Sequence, residues 1–140
     1  MEEKKAEILI VDDEEEIRNS LSRHFEFEGY NTETAANGEE ALKALEKKRF
    51  EVVITDIMMP AMNGVELLKQ IRKDYPMIHT IVITGYITME NLLAALRYGA
   101  DTCIFKPLED MTEIDEAVKR AVEDLKKWQK KLKELQNMKV

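Results

Sequence analysis

Residues 7–13 read Glu-Ile-Leu-Ile-Val-Asp-Asp, a short apolar run that ends in two adjacent carboxylates. The run lacks the alternation of a strand with one face in water, so residues 7–11 are expected to form a strand that is buried on both faces, as in a parallel sheet. Similar runs recur along the chain, and a weaker one with more alternation predicts an edge strand. The strong runs cover residues 52–55, 80–84 and 102–105, and the weaker one covers residues 30–35.

Helical patterns separate these runs. Residues 14–28 place apolar side chains at intervals of four on one stripe, and Gly29 follows at the position where many helices end in left-handed backbone. Further helices are predicted over residues 37–48, 63–74 and 89–98. Strands and helices therefore alternate five times, and right-handed crossovers would place the helices on both faces of one parallel sheet.

The last helical pattern differs from the others in its length. It begins near residues 111–113, where Asp110 and Glu113 have the spacing of a capping box. Because its first half is needed to cover the sheet, only the part from Leu125 onward is expected to be free for another partner. Its apolar residues alternate between intervals of four and three, which is a heptad pattern: Ile114, Val118, Ala121, Leu125, Trp128, Leu132 and Leu135.

The charge divides the chain at the same place. Residues 126–140 contain six lysines and one glutamate, a net charge of +5, whereas the whole chain carries −7, so residues 1–125 carry −12. We therefore expect one acidic domain over residues 1–125 and a basic helical extension over residues 126–140. The extension fits a solvated helix face and a dimerisation helix equally well.

The composition excludes several classes of protein. With 140 residues the chain is the size of one domain, and its acidic charge argues against direct binding of nucleic acid, whose phosphates require a basic face. The single cysteine, Cys103, excludes an intramolecular disulfide and suits a reducing cytosol. No stretch has the pattern of a signal peptide or a membrane span, so we expect a cytoplasmic protein without membrane contact.

Polar residues stand at the ends of four predicted strands. Asp12 and Asp13 follow the first strand, Asp56 the third and Lys106 the fifth, while Thr84 ends the fourth. Because ligands of open parallel sheets bind beyond the carboxyl ends of the strands, we expect these side chains to meet. Three neighbouring carboxylates repel one another, so the site needs a cation or must take up protons, and an oxygen-only ligand set favours Mg²⁺. A carboxylate beside such an ion and a lysine can accept a phosphoryl group.

Four motifs carry a resemblance to a known family. They are Val-Asp-Asp-Glu at 11–14, Thr-Asp-Ile-Met-Met-Pro-Ala-Met-Asn-Gly at 55–64, Thr-Gly at 84–85 and Lys-Pro at 106–107. Over roughly residues 7–125 the chain resembles the response-regulator receiver domain of bacterial two-component systems. The resemblance implies a flavodoxin-like (βα)5 fold with strand order 2-1-3-4-5. It also implies a phosphorylation-dependent switch in a phosphorelay, not a conventional enzyme, whose partner is a sensor histidine kinase or a phosphotransfer protein.

The resemblance assigns three residues to the phosphoryl chemistry. Asp56 matches the phosphoacceptor, Thr84 the hydroxyl that is drawn toward the phosphoryl group, and Lys106 the lysine that contacts it. The bond between Lys106 and Pro107 would be cis. Phosphorylation would reshape the face made by the fourth helix, the fifth strand and the fifth helix, and either this face or the C-terminal helix is a candidate surface for a homodimer.

The resemblance also assigns the metal ligands. Asp13, Asp56 and the backbone carbonyl of Met58 match the residues that hold Mg²⁺, and Asp12 matches a residue that supports the ion through water. Mg²⁺ is the one cofactor that we expect.

Two positions depart from the pattern of the family. Cys103 stands three residues before Lys106, where these domains usually have a Tyr or Phe whose ring moves during switching. Phe105 and Tyr86 are the aromatic neighbours that could replace that ring. Asn63 stands where the family commonly has Asp, and this change should be mild because both residues cap helices and tolerate turns.

Several candidates have simpler interpretations when each is taken alone. Asp13 could cap the first helix together with Glu16, and Asp56 could form an Asx turn. Their joint placement at strand ends favours a site. We expect His24 and His79 to be surface or boundary residues, because we find no carboxylate or cysteine partner for them at ligand spacing.

Two other functions are alternatives to the phosphorylation-dependent switch. The first is a pseudo-receiver whose output depends on dimerisation through the extension and not on phosphate, an interpretation that the cysteine at position 103 motivates. The second is a phosphatase that forms an aspartyl-phosphate. It is rejected because its two aspartates would lie two residues apart after the first strand, whereas Asp12 and Asp13 are adjacent. Nucleotide binding is rejected because neither glycine-rich fingerprint is present.

Overall fold

The computed structural model describes residues 5–59, 62–85 and 88–138 of the chain. Within them, strands and helices alternate five times. The strands are β1 (Glu7–Val11), β2 (Asn31–Ala35), β3 (Val52–Asp56), β4 (His79–Thr84) and β5 (Thr102–Phe105). The helices are α1 (Glu15–Phe27), α2 (Gly38–Lys47), α3 (Gly64–Asp74), α4 (Met89–Arg97) and α5 (Thr112–Asn137). In the described part of the chain, none of these helices has the length and apolar character to cross a membrane.

The strands form one parallel sheet in the order β2-β1-β3-β4-β5. This order confirms the flavodoxin-like prediction, including the placement of β2 at an edge. Asp56 at the end of β3 lies opposite Ile83, and Thr84 at the end of β4 lies opposite Phe105. The carboxyl ends of the strands therefore meet at one edge of the sheet.

The first strand shows why the sheet needs continuous apolar runs. Ile8 and Ile10 face the side of the sheet that α1 and α5 cover, where they pack in the same cluster as Phe25. Leu9 and Val11 point to the opposite side, against residues of α2 and α3. Because side chains alternate between the two faces of a strand, burial of both faces requires apolar residues at every position.

Side-chain caps set the starts of three helices. The side chains of Asn37, Asn63 and Thr88 each accept a hydrogen bond from the backbone N–H three residues further on, in α2, α3 and α4. The helices accordingly begin one residue after each cap. Asn63 therefore caps a helix, as expected at that position. Gly29 and Gly99, which follow α1 and α4, have φ angles of 101° and 82°, as the prediction of left-handed backbone after a helix requires.

The predicted capping box at the start of α5 is wrong. The Asp110 carboxylate accepts its hydrogen bonds from the backbone N–H and the hydroxyl of Thr112, at 2.9 and 2.7 Å. The N-cap position is Met111, which has no side-chain capping bond. An Asx turn that is closed two residues on thus replaces the reciprocal bonds of a capping box.

The fifth helix leaves the domain part-way along its length. Its first half packs on the sheet, and Leu125 is still only 6% exposed. Beyond it, the apolar residues of the heptad pattern are exposed: Trp128 at 52%, Leu132 at 53% and Leu135 at 61%. The free stripe therefore begins after Leu125 and not at it. The division into a domain over residues 1–125 and an extension over 126–140 stays a prediction.

Candidate functional site

The carboxyl edge of the sheet brings together the acidic residues and the lysine that the sequence singles out. Asp12 directly follows β1, and its backbone N–H donates to the Ala35 carbonyl at 3.1 Å, which continues the pairing with β2. Asp56 is the last residue of β3, in the centre of the sheet, and is 4% exposed. Lys106 follows β5, and its backbone N–H donates to the Thr84 carbonyl at 2.8 Å. Rigid strand ends therefore hold these groups.

The Lys106 ammonium occupies the centre of the cluster. Its Nζ donates to Asp56 Oδ2 at 2.8 Å and to Glu14 Oε2 at 3.0 Å. It also forms an ion pair with Asp12 Oδ2 at 2.9 Å. Burial lowers the pKa of Lys106, but its contacts with Asp56, Asp12 and Glu14 outweigh burial and raise the pKa well above its usual range. The lysine is therefore a fixed positive charge.

Asp12 is the most deeply buried of the three aspartates, with no exposed surface. Its Oδ1 accepts from the backbone N–H of Glu14 at 2.9 Å, and its carbonyl accepts from the Arg18 guanidinium at 2.7 Å. Burial raises the pKa of Asp12, partly offset by the bond from Glu14 and by Lys106, while the neighbouring Asp56 raises it further. The cluster thus holds more negative charge than its single ammonium compensates.

The main chain around Asp56 fixes the direction of its carboxylate. Oδ1 accepts from the backbone N–H of Met58 at 3.1 Å, while Oδ2 accepts from Lys106. The start of α3 packs closely on the residues after β3, because the Gly64 N–H donates to the Ile57 carbonyl at 2.8 Å. A Cβ atom at Gly64 would lie 2.2 Å from the Asp56 carbonyl oxygen. Only glycine fits there, and sequence reasoning did not single out this residue for its packing.

The three aspartates fit a divalent cation. One carboxylate oxygen each from Asp12, Asp13 and Asp56 lies within 4.8 Å of the others, with Asp13 exposed and the other two buried. The buried Asp12 Oδ2 has the Lys106 ammonium as its partner at 2.9 Å. An oxygen-only set of this kind suits a hard ion such as Mg²⁺. The role of the Met58 carbonyl as a ligand stays a prediction.

The simpler interpretations of single residues have different outcomes. Asp13 does not cap α1, because the N-cap position is Glu14 and no side-chain capping bond is present. Asp56 does accept the Asx-type bond from Met58, but it also contacts Lys106. The Asx bond is therefore part of how the carboxylate is oriented and not an alternative to the site.

The region of the expected switch contains a buried hydroxyl and a cysteine. Thr84 is fully buried at the end of β4. Cys103 packs against the cluster of Ile57, Leu68, Val82, Ala95 and Ala100, and its burial raises the pKa of the thiol. Phe105 is 57% exposed. Tyr86, the other aromatic candidate, lies outside the described residues. The bond between Lys106 and Pro107 is cis, as the resemblance implies.

The expectation that His24 and His79 lack carboxylate partners is wrong. His24 Nε2 lies 3.2 Å from Glu28 Oε1 and 2.5 Å from Asp115 Oδ1. His79 contacts Asp101 and Asp124. The spacing of four between His24 and Glu28 places both on one helix face and could have revealed this pair. His24 thus joins α1 to α5 through Asp115. His79 contacts Asp101 and Asp124, which lie far from it in the sequence.

A flavodoxin-like sheet with this cluster at its carboxyl edge defines a class of protein, the aspartate-based phosphoacceptor domains of signalling. The model of the family described as "Response regulator receiver domain" matches residues 8–119. The chain therefore belongs to the response regulator receiver domain family. Members of this family are phosphorylation-dependent switches of two-component signalling, and this is the function of the chain at the level of its family.

Individual relatives agree with this assignment. Sporulation initiation phosphotransferase F of Bacillus subtilis is 40% identical over 113 residues, which cover 81% of this chain and 90% of that protein. Regulatory protein AtoC of Escherichia coli is 38% identical over 91% of this chain, but the match covers only 27% of AtoC. The chain thus spans about a quarter of the length of that relative.

A solved structure adds information about ligands of a similar protein. The response regulator TrrA from Thermotoga maritima, solved in complex with Mg(2+)-BeF, superposes with a TM-score of 0.75 at 37% identity. The match covers 83% of this chain and 98% of TrrA. A close structural neighbour therefore binds the metal and a beryllium fluoride group.

Proposed function

We propose that Asp56 accepts a phosphoryl group from the phosphohistidine of a sensor histidine kinase or a phosphotransfer protein. The observation that carries this proposal is the position of the Asp56 carboxylate, which contacts Lys106 at 2.8 Å and lies beside two further carboxylates. This carboxylate stands at the end of a central strand and is held in one orientation by Lys106 and the Met58 N–H. The names of the phosphotransferase and response-regulator relatives support a place in a phosphorelay.

In this transfer, a carboxylate oxygen of Asp56 forms a bond to phosphorus while the phosphorus–nitrogen bond of the donor breaks. The electron pair of that bond returns to the imidazole of the donor histidine. Lys106 stabilises the negative oxygens of the phosphoryl group, because its charge is fixed and it is already in contact with the acceptor. To do so, the ammonium exchanges part of its contact with Asp12 or Glu14 for the phosphoryl oxygens.

Asp13, Asp56 and the Met58 carbonyl would hold Mg²⁺, and Asp12 would support the ion through water. When bound, the ion supplies positive charge that offsets the charge of the phosphoryl group. The excess of carboxylates over ammonium in the cluster supports this assignment. The Mg(2+)-BeF complex of the Thermotoga relative supports it as well.

Thr84 would couple the phosphoryl group to the rest of the domain. Its hydroxyl is fully buried at the end of β4, directly before the loop that leads into α4. A hydrogen bond to a phosphoryl oxygen would draw this strand end and loop toward Asp56 and change the surface of α4, β5 and α5. The domain promotes only its own modification, so we do not class it as a conventional enzyme, and we expect it in the cytoplasm without contact to nucleic acid.

The test is labelling with acetyl phosphate in the presence of Mg²⁺. Intact-mass spectrometry should show one added phosphoryl group on the wild type and none on Asp56→Asn. The matched control is Asp74→Asn, an equivalent change at an exposed position at the end of α3, which should be labelled like the wild type. Equal labelling of wild type and Asp56→Asn would refute the assignment.

A second candidate function is dimerisation that does not depend on phosphate. The exposed stripe of Trp128, Leu132 and Leu135 favours it, because apolar residues at heptad spacing pair with a second helix. The face of α4 and β5 is the other candidate, since Leu93, Leu96 and Phe105 are all more than half exposed. Sedimentation velocity with and without beryllofluoride separates the accounts. The same association under both conditions, lost in Leu132→Asp, would support dimerisation through the extension, whereas association only with beryllofluoride would favour the switch.

A further inference from the structure

A second cluster of metal-binding side chains lies between α1 and α5. His24 and Glu28 project from the last turns of α1, and Asp115 from the first turn of α5. One ligand atom from each lies within 4.8 Å of the others, as the carboxylate oxygens of Asp12, Asp13 and Asp56 do. The side chains are 26%, 38% and 30% exposed, so solvent reaches the cluster. None of these residues takes part in the proposed phosphoryl transfer.

The two histidines of the chain pair with carboxylates in different ways. At His79, Asp101 contacts Nδ1 and Asp124 contacts Nε2, so each ring nitrogen has one carboxylate. This is the arrangement that a protonated imidazole satisfies with its two N–H groups. At His24, both carboxylates converge on the single nitrogen Nε2, at 2.5 and 3.2 Å.

The convergence at His24 leaves one nitrogen to serve two carboxylates. Asp115 Oδ1 lies at hydrogen-bond distance from Nε2, 2.5 Å, and Glu28 Oε1 at 3.2 Å receives at most a share of the same hydrogen. An ion that takes the place of this proton would bind the nitrogen and both oxygens once Nε2 and Asp115 Oδ1 have moved apart. The His24 ring lies edge-on against the buried Phe25, with 5.0 Å between ring centroids.

The surroundings of the cluster are negatively charged. Burial raises the pKa of the neighbouring Tyr30, and the charges of Glu28, Asp115 and Glu123 raise it further. The two ligand carboxylates and a third one thus act on the same region. A divalent cation placed there would be stabilised by all three.

We propose that His24, Glu28 and Asp115 form a binding site for a divalent transition-metal ion that joins α1 to the first turn of α5. One imidazole nitrogen and two carboxylate oxygens are a ligand set for Zn²⁺, Co²⁺ or Mn²⁺, whereas Mg²⁺ prefers oxygen ligands alone. Water would complete the coordination on the exposed side. The two clusters of the chain therefore differ in metal preference as well as in position.

This difference provides the test. The full chain is titrated with Co²⁺ in the presence of saturating Mg²⁺, which occupies the oxygen-only site, and binding is followed by the visible absorbance of Co²⁺ and by calorimetry. We expect one Co²⁺ to bind per chain. We expect His24→Asn to abolish this binding and Asp115→Asn or Glu28→Gln to weaken it, while His79→Asn binds like the wild type.

The variants also decide whether loss of binding reflects loss of the fold. Circular dichroism shows whether each variant is folded. If His24→Asn does not fold, Glu28→Gln takes its place, because it removes a ligand at the exposed C-terminal end of α1. The proposal is overturned if Co²⁺ binds only by displacing Mg²⁺ from the oxygen-only site. It is equally overturned if His24→Asn and Glu28→Gln bind like the wild type, or if His79→Asn loses the ion as well.

Discussion

Lys106 is the residue on which the site depends. Its one positive charge contacts three carboxylates, from the loop after β1 and from the end of β3. Asp12 and Asp56 are both buried there. Gly64, the first residue of α3, lets the chain pack directly on the backbone of Asp56.

Gly64→Ala should destabilise the protein and disturb the acceptor. The added Cβ would lie 2.2 Å from the Asp56 carbonyl oxygen and 2.6 Å from Ile57 Cα, so the backbone must shift. We expect a loss of about 2–3 kcal/mol in the free energy of unfolding, measured by urea denaturation, and slower labelling by acetyl phosphate.

Gly85→Ala is the matched control for that change. Among the described residues, its Cβ would meet side-chain atoms of Lys106, at 3.7 Å, which is ordinary contact distance. We expect a change in stability within about 0.5 kcal/mol. If Gly64→Ala were as harmless as Gly85→Ala, the packing account of Gly64 would be wrong.

His79 should make stability depend on pH. Its hydrogen bond to Asp101 raises the pKa of the imidazole above 6.5, although burial lowers it, and Asp124 adds to the increase. Because the folded state binds the proton more tightly than the unfolded state, the stabilisation is complete below pH 6.5 and is lost as the pH rises through the folded-state pKa. Thermal unfolding across the neutral range should show this loss.

Two substitutions test the origin of the effect. His79→Asn removes the titrating group, and Asp101→Asn removes the partner that contributes most to the increase in pKa. Both should flatten this part of the pH profile. An unchanged profile in both variants would contradict the assignment of the pH dependence to His79.

At the scale of elements, α5 changes character along its length. Leu125 is buried at 6% exposure, while Leu135, on the same helix, is 61% exposed. Leu125→Ala should therefore cost about 2–3 kcal/mol of stability. Leu135→Ala should cost less than about 0.5 kcal/mol, since its side chain loses little contact with the domain. Urea denaturation at low protein concentration measures both, and equal costs would contradict the boundary between packed and free parts of the helix.

Elements and their order were predictable because their signals are local. The run at residues 7–11, the cap at Asn63 and the glycines after α1 and α4 each act within a few residues. The three aspartates and Lys106 could be grouped because strand ends of a parallel sheet share one edge. The resemblance to receiver domains added the strand order and the residue roles.

What sequence reasoning missed depends on how separate elements meet. The contact between His24 and Asp115 joins α1 to α5, and no pattern in either helix encodes their relative placement. Asp110 forms an Asx turn instead of a capping box because the turn before α5 places the N–H of Thr112 within reach of its carboxylate. Gly64 went unnoticed because the close approach of its backbone to Asp56 exists only in the folded chain.

At the scale of the whole molecule, the account predicts that Mg²⁺ stabilises the folded protein. An ion that binds only the native state raises the free energy of unfolding by about 2.7 kcal/mol at one hundred times its dissociation constant. Thermal denaturation with and without Mg²⁺ measures this gain. Asp13→Asn should abolish most of it while leaving the fold intact, since Asp13 is exposed. A full gain in that variant would exclude Asp13 as a ligand.

The position of the phosphoryl group tests the central claim most directly. After labelling with acetyl phosphate and Mg²⁺, borohydride reduces an acyl phosphate to an alcohol, and peptide mass spectrometry then locates the reduced residue. The account predicts that reduction occurs at Asp56 alone. Reduction at Asp12 or Asp13, or a stable label at a residue that borohydride does not reduce, would contradict it.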